Sequence, residues 1–280
     1  MSADAGRLNA WRSRIPGFLL AAWYGIAVLF LFAPIVAALV YSFNTGVVNK
    51  QTATWTGWTL HWYPAAWFDL SLRRAVGQSF VVAFWTALVS VVIGAALGYA
   101  MVRHPARGIR RMLAGLTYVL LIVPESVIGV SLLLFYAVTR IPLSTATLVA
   151  GITPLTIAVV ALIIRARVLM LDRRIEEAAA DLGSSRITTI RLIILPQLAP
   201  ALLAAAVMAY TFAFDNLVVS AFLTTPQVNT LPVYLYGSLQ YGPSPAVYAA
   251  AAAVFVFSLA MLGIAGLIYR SGRRIVAADA

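Results

Sequence analysis

Six uninterrupted apolar runs restrict this chain more than any other feature of its sequence. They cover Gly17 to Phe43, Gly77 to Val102, Met112 to Val138, Leu143 to Ile164, Gln197 to Leu223 and Ala246 to Tyr269. Runs of 18 or more apolar residues are long enough to cross a hydrocarbon core about 30 Å thick. A membrane barrel would instead alternate apolar and polar residues over about ten positions. These runs do not alternate, so the sequence predicts an all-α integral membrane protein with six transmembrane helices. Composition agrees: only 10% of the 280 residues are charged, against roughly 25% in soluble domains. Only two charges lie inside the runs, Glu125 and Asp215.

The first run follows Arg7, Arg12 and Arg14 and exceeds the 7 to 15 apolar residues of a cleaved signal core, so it is expected to remain as an anchor. Six crossings put both termini on one side, with the loops near 103–111 and 165–196. Sixteen of the twenty Lys and Arg residues fall on that side, which by the positive-inside rule is cytoplasmic. The expected location is therefore a bacterial inner membrane, multi-pass, with cytoplasmic termini. The net charge of +11 is accounted for by arginines beside anionic lipid headgroups, so no nucleic-acid partner is expected. Cysteine is absent, which excludes disulfides and thiolate metal sites. His61 and His104 are too far apart in sequence to suggest a metal centre.

Residues 1–280 read as a single domain with two hydrophilic excursions. The outer loop from Asn44 to Val76 carries Trp55, Trp58, Trp62, Tyr63 and Trp67. It reads either as an interfacial aromatic belt or as a docking surface for an external partner. The second excursion, about 172–196, is a polar helical hairpin. Asp172 can cap a first helix, and Glu176, Glu177 and Asp181 suit its dipole. Gly183 suits a left-handed elbow. Ser184 or Ser185 can cap a second short helix with Ile187, Ile190 and Ile194 on one face, which Pro196 is expected to end.

The hairpin spells Glu177, Ala178, Ala179, three residues, Gly183, nine residues, Ile193, one residue, Leu195, Pro196. That pattern resembles the cytoplasmic coupling motif of permease subunits of binding-protein-dependent ABC importers. The strings "YSFN", "WTGWTLHWY", "ILPQLAPA", "FDNLVVSAF" and "TLP" extend the resemblance along most of the chain, to the spermidine/putrescine permease branch. The resemblance implies a type I ABC importer permease fold with a cytoplasmic coupling-helix hairpin. It also implies two cytoplasmic ATPase subunits, a second permease that is a sibling or a copy of this chain, and an external substrate-binding protein. In two places the chain departs from the branch. Asn216 follows Asp215 where members commonly carry two acids, and Ala246, Val247 and Tyr248 follow Pro245 where the branch reads close to P-E-x-N-A.

A phosphate-binding loop needs lysine after glycine, and the only lysine, Lys50, follows Asn49. The chain is thus expected to be a transport subunit, not an enzyme, with no cofactor of its own; ATP and Mg belong to the partner ATPase. Glu177, Ala178, Ala179, Gly183, Ile193, Leu195 and Pro196 are the expected coupling residues. Intramembrane acids mark solute paths by default, so Glu125 and Asp215, with Asn216 and Tyr210, are the substrate-pathway candidates. The alternative reading is of hydrogen-bonded structural groups between helices. Polyamines are the expected cargo. A permease for ferric iron, phosphonate, thiamine or an amino-acid-like solute, a gradient-driven transporter and a scaffold protein are the alternatives.

Overall fold

The computed structural model describes residues 17–47, 50, 54–240, 242, 244–256 and 259. Among these, all regular structure is helical, with two isolated β-bridges, Asn44 to Trp58 and Val47 to Lys50. The helices are α1 (Gly17–Tyr41), α2 (Trp62–Phe68), α3 (Leu70–Arg103), α4 (Arg107–Ile122), α5 (Glu125–Thr139), α6 (Thr145–Leu169), α7 (Arg173–Asp181), α8 (Arg186–Phe214), α9 (Val218–Leu223), α10 (Leu231–Gln240) and α11 (Pro245–Val256). Two compact units result, Leu70–Gly237 and a second made of Met1–Asp69 with Ser238–Ala280.

Four helices, α1, α3, α6 and α8, are long and apolar enough to cross a membrane. The expected third span is not one straight helix: α4 and α5 meet at 94°. Pro124 accounts for the break. It lacks an N–H and pushes Val123 out of the helical region, and Val123 has an extended ψ of 126°. Pro34, Pro154 and Pro200 lie inside helices that continue through them. The expected fifth span also breaks, between Phe214 and Val218. Of the expected sixth span, the part after Val256 lies almost wholly outside the described residues.

The core of the larger unit is the pair α3 and α6. Gln78 donates to Thr145 Oγ1 at one end, Gly94 abuts Val160, and Arg103 donates to the Leu171 carbonyl at the other end. Contacts that rise together along both helices make them parallel. The chain between them must therefore return to the end where α3 began, and α4 and α5, bent at 94°, make that return together. Small residues permit the close approach: Ser90, Gly94 and Gly98, four apart, are buried on the face of α3 turned to α6. Helix α8 packs against both and runs the other way, with Gln197 beside Arg167 and Phe214 against Phe80.

Pro196 does not end a helix. The backbone continues from Arg186 to Phe214, with one widened π-turn at Ile190–Ile194. Proline clashes with the carbonyl four residues earlier, and a turn bonded five residues back makes room for it: Leu195 N–H donates to the Ile190 carbonyl. The hydrophobic face expected on a second short helix divides accordingly. Ile194 is buried, while Ile187 and Ile190 are exposed.

Candidate functional site

The polar hairpin has every cap its sequence suggests. The Asp172 carboxylate accepts from Arg174 N–H at 2.9 Å and opens α7. Gly183 closes it with φ +79°. Gly183 N–H donates to the Ala180 carbonyl at 2.9 Å and Ser184 N–H to the Ala179 carbonyl at 3.0 Å, the paired bonds of a Schellman stop. Ser185 Oγ then accepts from Thr188 N–H at 3.2 Å and starts α8.

The coupling candidates occupy two faces of this hairpin. Ala179, Ile193 and the neighbouring Ile194 turn toward the protein, while Glu177, Ala178, Gly183, Leu195 and Pro196 are exposed. The hairpin's most exposed large apolar side chains flank the elbow: Leu182 is 89% and Ile187 79% exposed. An apolar pair on a polar hairpin is ordinarily a contact surface. Glu177 is 61% exposed and pairs with Arg173, one turn earlier, at 3.1 Å. Such a pair is worth little in water, which leaves the carboxylate free to exchange partners.

Glu176 faces the other way. Its two carboxylate oxygens accept from Arg103 Nε at 2.7 Å and from Tyr99 Oη at 3.0 Å. The hairpin's spacing places Glu177, not Glu176, in the coupling motif, but it does not show which of the two turns inward. The signal was Tyr99 and Arg103, four residues apart on one face at the end of α3.

The second candidate region lies where the two interrupted spans meet. Glu125 is the first residue of α5, directly after the Pro124 break. Asn216, buried in the gap between α8 and α9, donates to Glu125 Oε2 at 3.2 Å, and its Oδ1 accepts from Ser220 N–H at 3.2 Å. Helix α9 is held close to α5, since a Cβ on Gly129 would lie 2.5 Å from the Phe222 ring. Asp215 is exposed at the end of α8. Tyr210 stacks on Phe214 with ring centres 6.1 Å apart. The structure thus joins Glu125 to Asn216, with Asp215 next to the pair in sequence. Interrupted helices that meet at an ionisable group are how membrane proteins place backbone dipoles beside a solute.

In the smaller unit the two aromatic strings pack on each other. Asn44 accepts from Thr56 N–H at 2.8 Å and donates to the Thr54 carbonyl at 3.1 Å. Ser42 Oγ and Tyr63 Oη are 2.8 Å apart, and Trp55 and Trp58 meet edge to face at 4.8 Å.

Apolar spans, two of them broken beside a carboxylate, and a capped polar hairpin define a polytopic helical membrane protein. Residues 90–274 match the binding-protein-dependent transport system inner membrane component, and the chain belongs to that family; it is a permease subunit of an ABC importer. It is 33% identical over 241 residues to the spermidine/putrescine transport system permease protein PotC of Escherichia coli (strain K12), covering 86% of this chain and 90% of that one. It is 32% identical over 248 residues to the putrescine transport system permease protein PotI of the same strain, covering 85% of each. In fold it is similar to a chain of the crystal structure of a bacterial ABC transporter involved in the import of the acidic polysaccharide alginate. That likeness has a TM-score of 0.66 at 18% identity and covers 92% of this chain and 97% of the other.

Proposed function

We propose that this chain carries polyamines, spermidine or putrescine, into the cell, driven by ATP hydrolysed on separate subunits. The observation that carries the ATP-driven reading is the capped hairpin, which presents Leu182 and Ile187 to solvent on either side of a rigid elbow. In this reading two cytoplasmic ABC ATPases receive the elbow and bind ATP and Mg. A second permease, a sibling chain in preference to a second copy, completes the pathway. A substrate-binding protein delivers the solute on the opposite side, and both termini are cytoplasmic. Glu177, Ala178, Ala179, Gly183, Ile193, Leu195 and Pro196 form the coupling element. Their small and apolar side chains let the partner approach, and the exposed Glu177 carboxylate, paired weakly with Arg173, gives it a charge to hold.

The cargo rests on likeness to two polyamine permeases and on the carboxylate at the crossing of the broken helices. Glu125 supplies negative charge to a passing ammonium group, Asn216 orients that carboxylate, Asp215 stands next to them in the chain, and Tyr210 with Phe214 offers ring faces that attract cations. The test is uptake of labelled putrescine by the assembled complex in proteoliposomes. Glu125→Gln keeps the shape and loses the charge, so uptake is expected to fall about tenfold, the worth of one charge-assisted contact. Unchanged kinetics would remove Glu125 from the path. Competition by thiamine, phosphonate or an amino acid, with none by spermidine, would change the cargo and leave the ATP-driven reading intact.

A further inference from the structure

The adjacent glutamates of the hairpin differ in what they touch, and the difference points to a joint inside the permease. Glu177 is exposed and pairs with Arg173 of its own helix. Glu176 is enclosed by the end of α3: Arg103 Nε donates to one oxygen at 2.7 Å, Tyr99 Oη to the other at 3.0 Å, and the two charged side chains are 13% and 18% exposed. Arg103 also donates through its terminal nitrogen to the Leu171 carbonyl, just beyond α6, at 2.9 Å. One guanidinium therefore ties together the end of α3, the end of α6 and the first turn of α7.

We propose that Glu176, Arg103 and Tyr99 are positioning residues that make the hairpin and the inner ends of α3 and α6 move as one body, so that displacement of the elbow becomes displacement of the membrane core. The claim rests on the ATP-driven reading above. Each Glu176 oxygen has its own donor, from residues one turn apart on a single face of α3. Both charges are largely out of water, so separating them leaves an unpaired, poorly solvated charge on each side. Pairs of this kind are strong and directional where exposed pairs are weak. The remaining contacts hold α3 to α6 along their length, so a displacement that enters at Arg103 reaches the centre of the unit. A hairpin released from this pair can still seat in a partner, but its motion is taken up in its flanking turns.

The test reads coupling, not activity alone. Complexes of the full chain with its ATPases, second permease and binding protein are reconstituted, and ATP hydrolysed per putrescine imported is measured. Glu176→Gln is expected to keep the ATPase bound and active while that ratio rises about tenfold, and Tyr99→Phe, which removes one hydroxyl, is expected to raise it less. Arg103→Lys retains the charge but not the fork, and is expected to recover part of the loss of Arg103→Ala. The native chain has no cysteine, so a pair introduced at 103 and 176 can be linked by a short thiol-specific reagent. Unlinked, this variant should be uncoupled; linked, it should regain the wild-type ratio, because a joint that never opens tolerates a covalent bond. An unchanged ratio in both Glu176→Gln and Tyr99→Phe overturns the proposal, as does a linked complex that stalls and resumes when the link is cleaved. If the unaltered complex imports putrescine with ATP while these variants keep its ratio, only the joint is lost. If the unaltered complex shows no ATP-dependent uptake, the ATP-driven reading itself fails.

Discussion

Gly183→Leu is expected to abolish uptake while leaving the transmembrane unit folded. Gly183 has φ +79° and its amide closes α7 on the Ala180 carbonyl. A residue with a Cβ pays roughly 1 to 2 kcal/mol in that conformation, enough to shift a local equilibrium about 5- to 30-fold. No protein atom lies within 4 Å of where a Cβ would stand, so the strain comes from the backbone and not from a clash. A graded series follows. Gly183→Asn, which tolerates the left-handed region, should retain most uptake, and Gly183→Ala should lose part of it. Any loss in Gly183→Leu beyond that in Gly183→Ala reports a side chain colliding with something outside this chain, which is the signature of an elbow seated in a partner. Uptake and ATPase activity measured on the same proteoliposomes check it. Normal uptake with solute-stimulated hydrolysis in Gly183→Leu would remove the elbow from the mechanism.

Gly98→Val is expected to destabilise the chain more than any change in the hairpin. A Cβ there would lie 2.5 Å from the Ala161 carbonyl oxygen and 3.0 Å from the Arg165 amide nitrogen. Both are backbone atoms of α6, which cannot swing aside as a side chain does, so α3 and α6 must separate. Overpacking of this kind costs about 3 kcal/mol or more. In a membrane the loss is compounded, since close van der Waals contact is itself the main attraction between helices. Thermal unfolding in detergent, followed by the loss of the monodisperse peak, is expected to show a sharply lowered midpoint and a lower yield of folded protein. Gly115→Ala is the control. Nothing lies within 4 Å of its Cβ position, and alanine favours a helix over glycine, so its stability should equal or exceed that of the native chain. Equal melting of Gly98→Val and the native protein would show that α3 and α6 are not held by this contact.

Much of the local structure was readable because it depends on neighbours in sequence. Asp172, Gly183 and Ser185 act on backbone groups within five residues, and the apolar runs describe their own solvent. Pro196 misled for the same reason: a rule about one dipeptide knows nothing of the π-turn that absorbs it. Hydropathy is unaffected by a bend, so only the prolines signal one: Pro124 breaks its span, whereas Pro154 and Pro200, equally able to break or kink a helix, lie in helices that continue. The run from Met112 to Val138 is equally apolar with or without the 94° turn at Pro124.

The sequence by itself determined that the chain is a helical membrane protein, that a polar hairpin with a glycine elbow separates two of its apolar runs, and that it lacks a phosphate loop of its own. Each follows from composition or short-range spacing, where the physics is local. Only the tertiary structure decided that α3 and α6 meet through a glycine contact, that Asn216 meets Glu125, and that of two adjacent glutamates Glu176 turns inward to Arg103 while Glu177 remains exposed. Those pairings join residues 63 to 91 positions apart, brought together by packing that no single stretch of the chain encodes.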